Sequence, residues 1–168
     1  MLARLFKLKK GMISVLNIML IIAVFLLVID VVLGVVTRYA LGAQVKWTEE
    51  LARFLLIWVS LLGGAVAFGT KAHLGVDFFV GKLHPEAQKM MAVVVHLIVL
   101  FFAVSIFIWG GSQVVTDSFL MGQKTPALEW KMGYVYLALP IAGIFMALFT
   151  LENLVETLVV QPSLEEVE

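Results

Sequence analysis

Cysteine is absent from this chain of 168 residues. That excludes disulfides, thiolate metal sites and thiol nucleophiles together, and with them any redox chemistry that needs a CxxC pair. Charge is scarce: Asp, Glu, Lys and Arg make up 14% of the residues, where a soluble domain carries about a quarter. The 12 basic and 12 acidic residues cancel, so the total says nothing about partners, and no nucleic-acid partner is expected. There is no internal repeat and no low-complexity segment. Nor is there a polar cluster in the middle of any apolar run, where a transporter's own binding site is expected.

Hydrophobic residues fill what is left, at 62% of the chain and a mean hydropathy of +1.04. The composition predicts an all-α integral membrane protein. A span needs about 20 apolar residues to cross a hydrocarbon core of about 30 Å. Four runs meet that length, about 12–36, 50–68, 90–115 and 134–155, so residues 1–168 read as a single four-span membrane domain with short loops.

Two amphipathic stretches predict short interfacial helices. In Met1 to Lys10, Leu2, Leu5 and Phe6 share one helical face while Arg4, Lys7, Lys9 and Lys10 surround the other, which suits an anionic membrane surface. Gly11 is expected to break that helix before the first span. The apolar run that follows is too long for a signal-peptide h-region and no small-residue cleavage site closes it, so a retained first helix is expected. In the second loop Val76, Phe79, Val80 and Leu83 follow i, i+3, i+4, i+7 spacing, and His84 before Pro85 ends the pattern.

Lys and Arg near the span ends set the orientation. Arg4, Lys7, Lys9 and Lys10, with Lys71, Lys82 and Lys89 of the second loop, outnumber Arg38 and Lys46 of the first loop and Lys124 and Lys131 of the third. Both termini are therefore expected in the cytoplasm. Trp47, Trp109 and Trp130 then fall near the outer boundary as an aromatic belt.

Ionisable residues inside spans are expensive and need a partner. Asp30 lies about 9 Å inside the outer end of span one and Arg53 about 7 Å inside that of span two. A short loop makes these helices antiparallel neighbours, which predicts an Asp30–Arg53 ion pair joined by Glu50; the alternative is that Arg53 snorkels to the surface alone. Thr48 is placed to cap span two, with Glu49 and Glu50 in the first turn at the positive end of the helix dipole. Ser60 with Gly64, Gly63 with Ala67, and Ala138, Ala142, Gly143 and Ala147 form small-residue faces for close packing within the chain or against a partner. Pro140 is expected to kink span four. His96 and His73, both toward the inner side, raise a haem reading; a hydrogen-bonding role for His96 is the plainer one.

The ordered set Arg38-Tyr39, Trp47-Thr48-Glu49-Glu50-Leu51-Ala52-Arg53, Trp58, Gly63-Gly64-Ala65 and His73 to Asp77, with Tyr136 and Pro140 in the last span, resembles the DctQ-like small membrane subunit of tripartite ATP-independent periplasmic (TRAP) transporters. The likeness runs over most of the chain, and its specific part is the forty-residue centre from Arg38 to Asp77. It implies a bacterial inner-membrane transport system of three parts. A periplasmic substrate-binding protein (P component) captures an organic acid, and a large membrane subunit (M component) moves it with sodium. The small subunit acts as a scaffold among membrane lipids, without catalytic chemistry. No catalytic, metal or substrate-binding residue and no cofactor is expected in this chain, and sodium is expected in the large subunit. Arg38, Tyr39, Trp47, Glu49, Glu50 and Arg53 are expected to organise the outer end, with Trp58, Gly63 and Gly64 at packing faces and His73 and Asp77 at the inner end. A membrane cytochrome or quinone-linked subunit, and a small self-sufficient exporter with Asp30 as proton carrier, are the alternatives.

Overall fold

A computed structural model gives the fold and describes residues 2–42, 45–70 and 84–159. Among the described residues, four helical spans are long and apolar enough to cross a membrane, at Lys9–Ala40, Lys46–Gly69, Ala87–Leu120 and Met132–Val159. The all-α membrane architecture is as the composition predicts. Each span outruns its apolar core at both ends, because a helix continues until its backbone donors meet a stop, while hydropathy fades earlier.

Span one belongs to α1, a single helix over Leu2–Ala40. Gly11 does not interrupt it, contrary to the expectation of a separate interfacial helix. A glycine inside a helix costs only about 1 kcal/mol, and the contacts of Lys9, two residues away, offset that. Lys9 is buried; its Nζ donates to Asn153 Oδ1 at 2.8 Å and lies 3.9 Å from Glu152. The polar face expected to meet water is thus turned partly inward. The amphipathic stretch around Val76 to Leu83 lies outside the described residues.

Span two is α2, Lys46–Gly69, with Val45 as N-cap. It starts ahead of Thr48, and the Thr48 hydroxyl donates to the Val45 carbonyl at 2.8 Å, so Thr48 does not cap the helix. Span three runs without a break through α3 (Pro85–Phe102), a π-helical segment (Ala103–Gly110) and α4 (Gly111–Leu120). Pro85 occupies its first turn, where a missing N–H costs nothing. Span four is α5 (Met132–Tyr136) and α6 (Ala138–Val159), separated at Leu137. Pro140 has no N–H to give Tyr136 four residues back, so the break falls where the expected kink should.

The helices pack in the order α1, α2, α6, span three, each against the next. Leu16, Leu62, Ala142 and Phe149 form one buried cluster, and Ala65, Ala103, Met146 and Ala147 another. Both centre on α6, so 44% of its span is buried while spans one and three are 11% and 6% buried. Few residues of these two outer helices are fully buried, and many of their large apolar side chains are exposed.

Candidate functional site

The polar groups collect at the two ends of the helices. At the loop end Glu49 alone of the two acids lies in the first turn of α2; Glu50, one residue beyond it, accepts from the Ala127 N–H at 2.9 Å with one oxygen and from the Leu128 N–H at 3.0 Å with the other. The loop it holds, residues 121–131, is itself ordered by main-chain bonds. Thr125 N–H donates to the Trp130 carbonyl at 2.9 Å, and Trp130 N–H returns to the Thr125 hydroxyl at 3.1 Å. Thr125 is buried, Gly122 and Glu129 take left-handed backbone, and Lys124 bridges to Lys131. Glu50 therefore fastens the connection between spans three and four to the start of span two, which no side-chain pattern in the sequence signals.

The expected Asp30–Arg53 pair does not form. Arg53 donates to Glu49 at 3.3 Å, one turn back on the same helix, and both side chains are more than 60% exposed. Such an exposed i, i+4 pair contributes about 0.3–0.5 kcal/mol. The reason is angular: Thr48 and Ala52 are the α2 residues that turn toward α1, and Arg53 lies about 100° further round the helix. Asp30 is 3% exposed and neither carboxylate oxygen has a hydrogen-bond partner. The Ala52 main chain faces it without reaching bonding geometry. Beside Asp30 lies a cleft of about 290 Å³ between α1 and α2, bounded also by Arg38, Tyr39, Thr48 and Glu49. Arg38 and Tyr39 are exposed at its rim, and Trp47 is 40% exposed nearby in the first turn of α2.

At the other end, Asn153 on α6 joins three helices. Its amide donates to the Phe68 carbonyl at 3.2 Å near the end of α2 while its oxygen accepts from Lys9 of α1. A lone Asn in an apolar helix is a signal that sequence reading passed over. His73 and Asp77 lie outside the described residues. His96 bonds the Ala92 carbonyl of its own helix through Nδ1, in keeping with the hydrogen-bonding role expected of it.

Trp58 packs against the Leu16, Leu62, Ala142 and Phe149 cluster. It also walls an apolar groove of about 430 Å³ with Leu26, Phe54, Trp130 and Tyr134. The glycines divide into two kinds. A Cβ at Gly143 would lie 2.6 Å from Phe107 Cβ, whereas at Gly63 or Gly64 it would meet nothing within 4 Å. Gly63→Ala and Gly64→Ala should therefore leave the melting temperature of the isolated chain unchanged or raise it, by up to about 1 kcal/mol of helix propensity. A thermal melt in detergent checks this, and a fall of several degrees would mean that these glycines serve packing within the chain.

Four apolar spans, joined to one another near their ends by the side-chain hydrogen bonds of Lys9, Glu50 and Asn153, define a multi-pass membrane subunit. The family model of the tripartite ATP-independent periplasmic transporters, DctQ component, matches residues 27–160, and the chain belongs to that family. It is similar to a TRAP transporter small permease protein of Haemophilus influenzae, 30% identical over 135 residues, 79% of this chain and 81% of the relative. It is also similar to the sialic acid TRAP transporter small permease protein SiaQ of Vibrio cholerae, 28% identical over 118 residues, 70% of this chain and 66% of the relative. A third relative is the isethionate TRAP transporter permease protein DctMQ of Oleidesulfovibrio alaskensis, 30% identical over 113 residues, 67% of this chain but 18% of that longer protein. The chain is thus a small permease component of a bacterial inner-membrane transporter, and the family is a transport subunit and no enzyme.

Proposed function

We propose that this chain is the non-catalytic scaffold of a sodium-coupled TRAP transporter for organic acids. It holds the large membrane subunit in the bilayer and helps dock the periplasmic substrate-binding protein. The observation that carries this reading is the division of surfaces: the side-chain bonds of Lys9, Glu50 and Asn153 that join one span to another sit at the two ends, while spans one and three leave their flanks to lipid or partner. Much of an exposed apolar flank of that extent is the surface on which a second membrane protein packs. The long DctMQ relative, of which this chain matches 18%, supports a small unit working beside a larger one.

The excess of Lys and Arg in the N-terminal segment and second loop supports cytoplasmic termini. The 121–131 loop held by Glu50, and the Arg38, Tyr39, Trp47, Glu49 and Arg53 side chains at the same end of α1 and α2, then face the periplasm and the binding protein. Relatives named for sialic acid, a carboxylate, and isethionate, a sulfonate, match this chain almost equally. Choice among organic anions, and the sodium site, are accordingly assigned to the partners.

The test is uptake in proteoliposomes under an inward sodium gradient. The large subunit with this chain and the binding protein should take up an organic anion, and omission of this chain should abolish uptake. Transport by the isolated chain would overturn the scaffold reading in favour of an exporter, and visible haem absorption would do so in favour of a cytochrome.

A further inference from the structure

Among the described residues, Asp30 is the buried carboxylate whose two oxygens meet no donor. An intramembrane carboxylate of this kind is expensive and persists in membrane proteins with a partner cation. Within the chain the basic groups near it are otherwise placed. Arg53 is turned outward to Glu49, and Arg38 stands eight residues further along α1, about 12 Å of helical rise. The cleft beside Asp30 is lined by two carboxylates, Asp30 and Glu49, and by the Tyr39 and Thr48 side chains, against one guanidinium, Arg38. Gly34, one turn from Asp30, forms part of its wall and leaves it without a side chain there.

We propose that this cleft receives a Lys or Arg side chain from a transmembrane helix of the large membrane subunit, which pairs with Asp30 when the two assemble. The proposal rests on the scaffold reading above. Val31, Val35 and Tyr39 of α1, which line the cleft, are exposed, and α1 is one of the two least covered helices, the side from which a partner helix would reach it. A long basic side chain delivers its charge well away from its own backbone and along an apolar wall. The ammonium of a lipid headgroup is tethered to a phosphate at the level of the rim, about 12 Å above Asp30.

The experiment compares Asp30→Asn with Asp30→Glu in the chain copurified with its large subunit. Asp30→Asn should lower the retained large subunit about tenfold after a detergent wash, while Asp30→Glu, which keeps the charge, should stay within about threefold of the unaltered chain. The isolated Asp30→Asn chain should melt no lower than the unaltered one, because neither oxygen is bonded within the chain. A lower melt of that isolated variant, or full retention by it, overturns the proposal.

Dicyclohexylcarbodiimide, which attacks carboxyl groups in apolar surroundings, should label Asp30 in the isolated chain and be blocked in the complex; equal labelling also overturns the proposal. Protection of the isolated chain by phosphatidylethanolamine vesicles but not phosphatidylglycerol vesicles would give the cation to a lipid, and overturn it too. If the unaltered chain retains no large subunit, the scaffold reading itself has failed. If it does and Asp30 stays reactive, only the pairing has.

Discussion

Replacing Glu50 with alanine is expected to free the 121–131 loop from α2 while leaving the four spans in place. The carboxylate accepts two main-chain N–H groups, Ala127 at 2.9 Å and Leu128 at 3.0 Å, from a segment 77 and 78 residues away in sequence. Hydrogen bonds to a charged group contribute about 1.5–3 kcal/mol each, and partial exposure to water reduces that. Loss of both should cost about 2–3 kcal/mol locally, so the amides of Ala127 and Leu128 should exchange about 30- to 100-fold faster. The neighbouring Glu49→Ala removes only the exposed pair with Arg53 and should change the same rates by less than about threefold. Unchanged exchange at both amides in Glu50→Ala would show that the loop holds itself. If the loop presents to the binding protein, the same variant should weaken capture of that protein while retention of the large subunit stays normal.

Gly143→Ala is expected to be a strongly damaging single methyl among the described glycines. The added Cβ would stand 2.6 Å from Phe107 Cβ, 3.0 Å from Ile108 Cγ1 and 3.2 Å from the Ile108 backbone nitrogen. Phe107 Cβ and Ile108 N cannot swing aside as a side-chain tip can, so span three itself must move away from α6. Overpacking of this kind costs about 1–3 kcal/mol, set against the usual gain of up to about 1 kcal/mol for alanine over glycine in a helix. The variant should melt several degrees lower in detergent, whereas Gly63→Ala and Gly64→Ala should not. A Gly143→Ala chain as stable as the original would mean that the contact between spans three and four is looser than these distances require.

The spans were legible because hydrocarbon asks for one property repeated over about twenty residues. The break in span four at Leu137 was legible too, because Pro140 acts through its own missing donor. What sequence reading missed depends on which way a side chain turns or on main-chain partners far away. Depth alone paired Asp30 with Arg53, but depth does not fix azimuth, and Thr48 and Ala52 occupy the face that Arg53 was given. Glu50 binds two backbone N–H groups, which every residue other than proline possesses, so no residue type announces the contact. Lys9 was assigned to water on its charge, yet Asn153, 144 residues on, supplies the oxygen that brings it in. The motif residues Glu49, Glu50 and Arg53 do lie together at one end of the molecule, which adjacency on one helix guarantees. Their separate duties, one pair outward and one clamp inward, do not follow from adjacency.

The spans Lys9–Ala40 and Ala87–Leu120, of 32 and 34 residues, run to about 48 and 51 Å at 1.5 Å per residue. A hydrocarbon layer about 30 Å deep accommodates such rods by letting them lean or by thickening around them. A rib that leans exchanges angle for bilayer depth. Longer acyl chains would draw these two ribs more upright and shorter ones would lay them flatter, carrying any neighbour braced against them through the same rotation. The lipid composition of the host membrane thereby becomes a mechanical setting of the transporter to which this chain belongs.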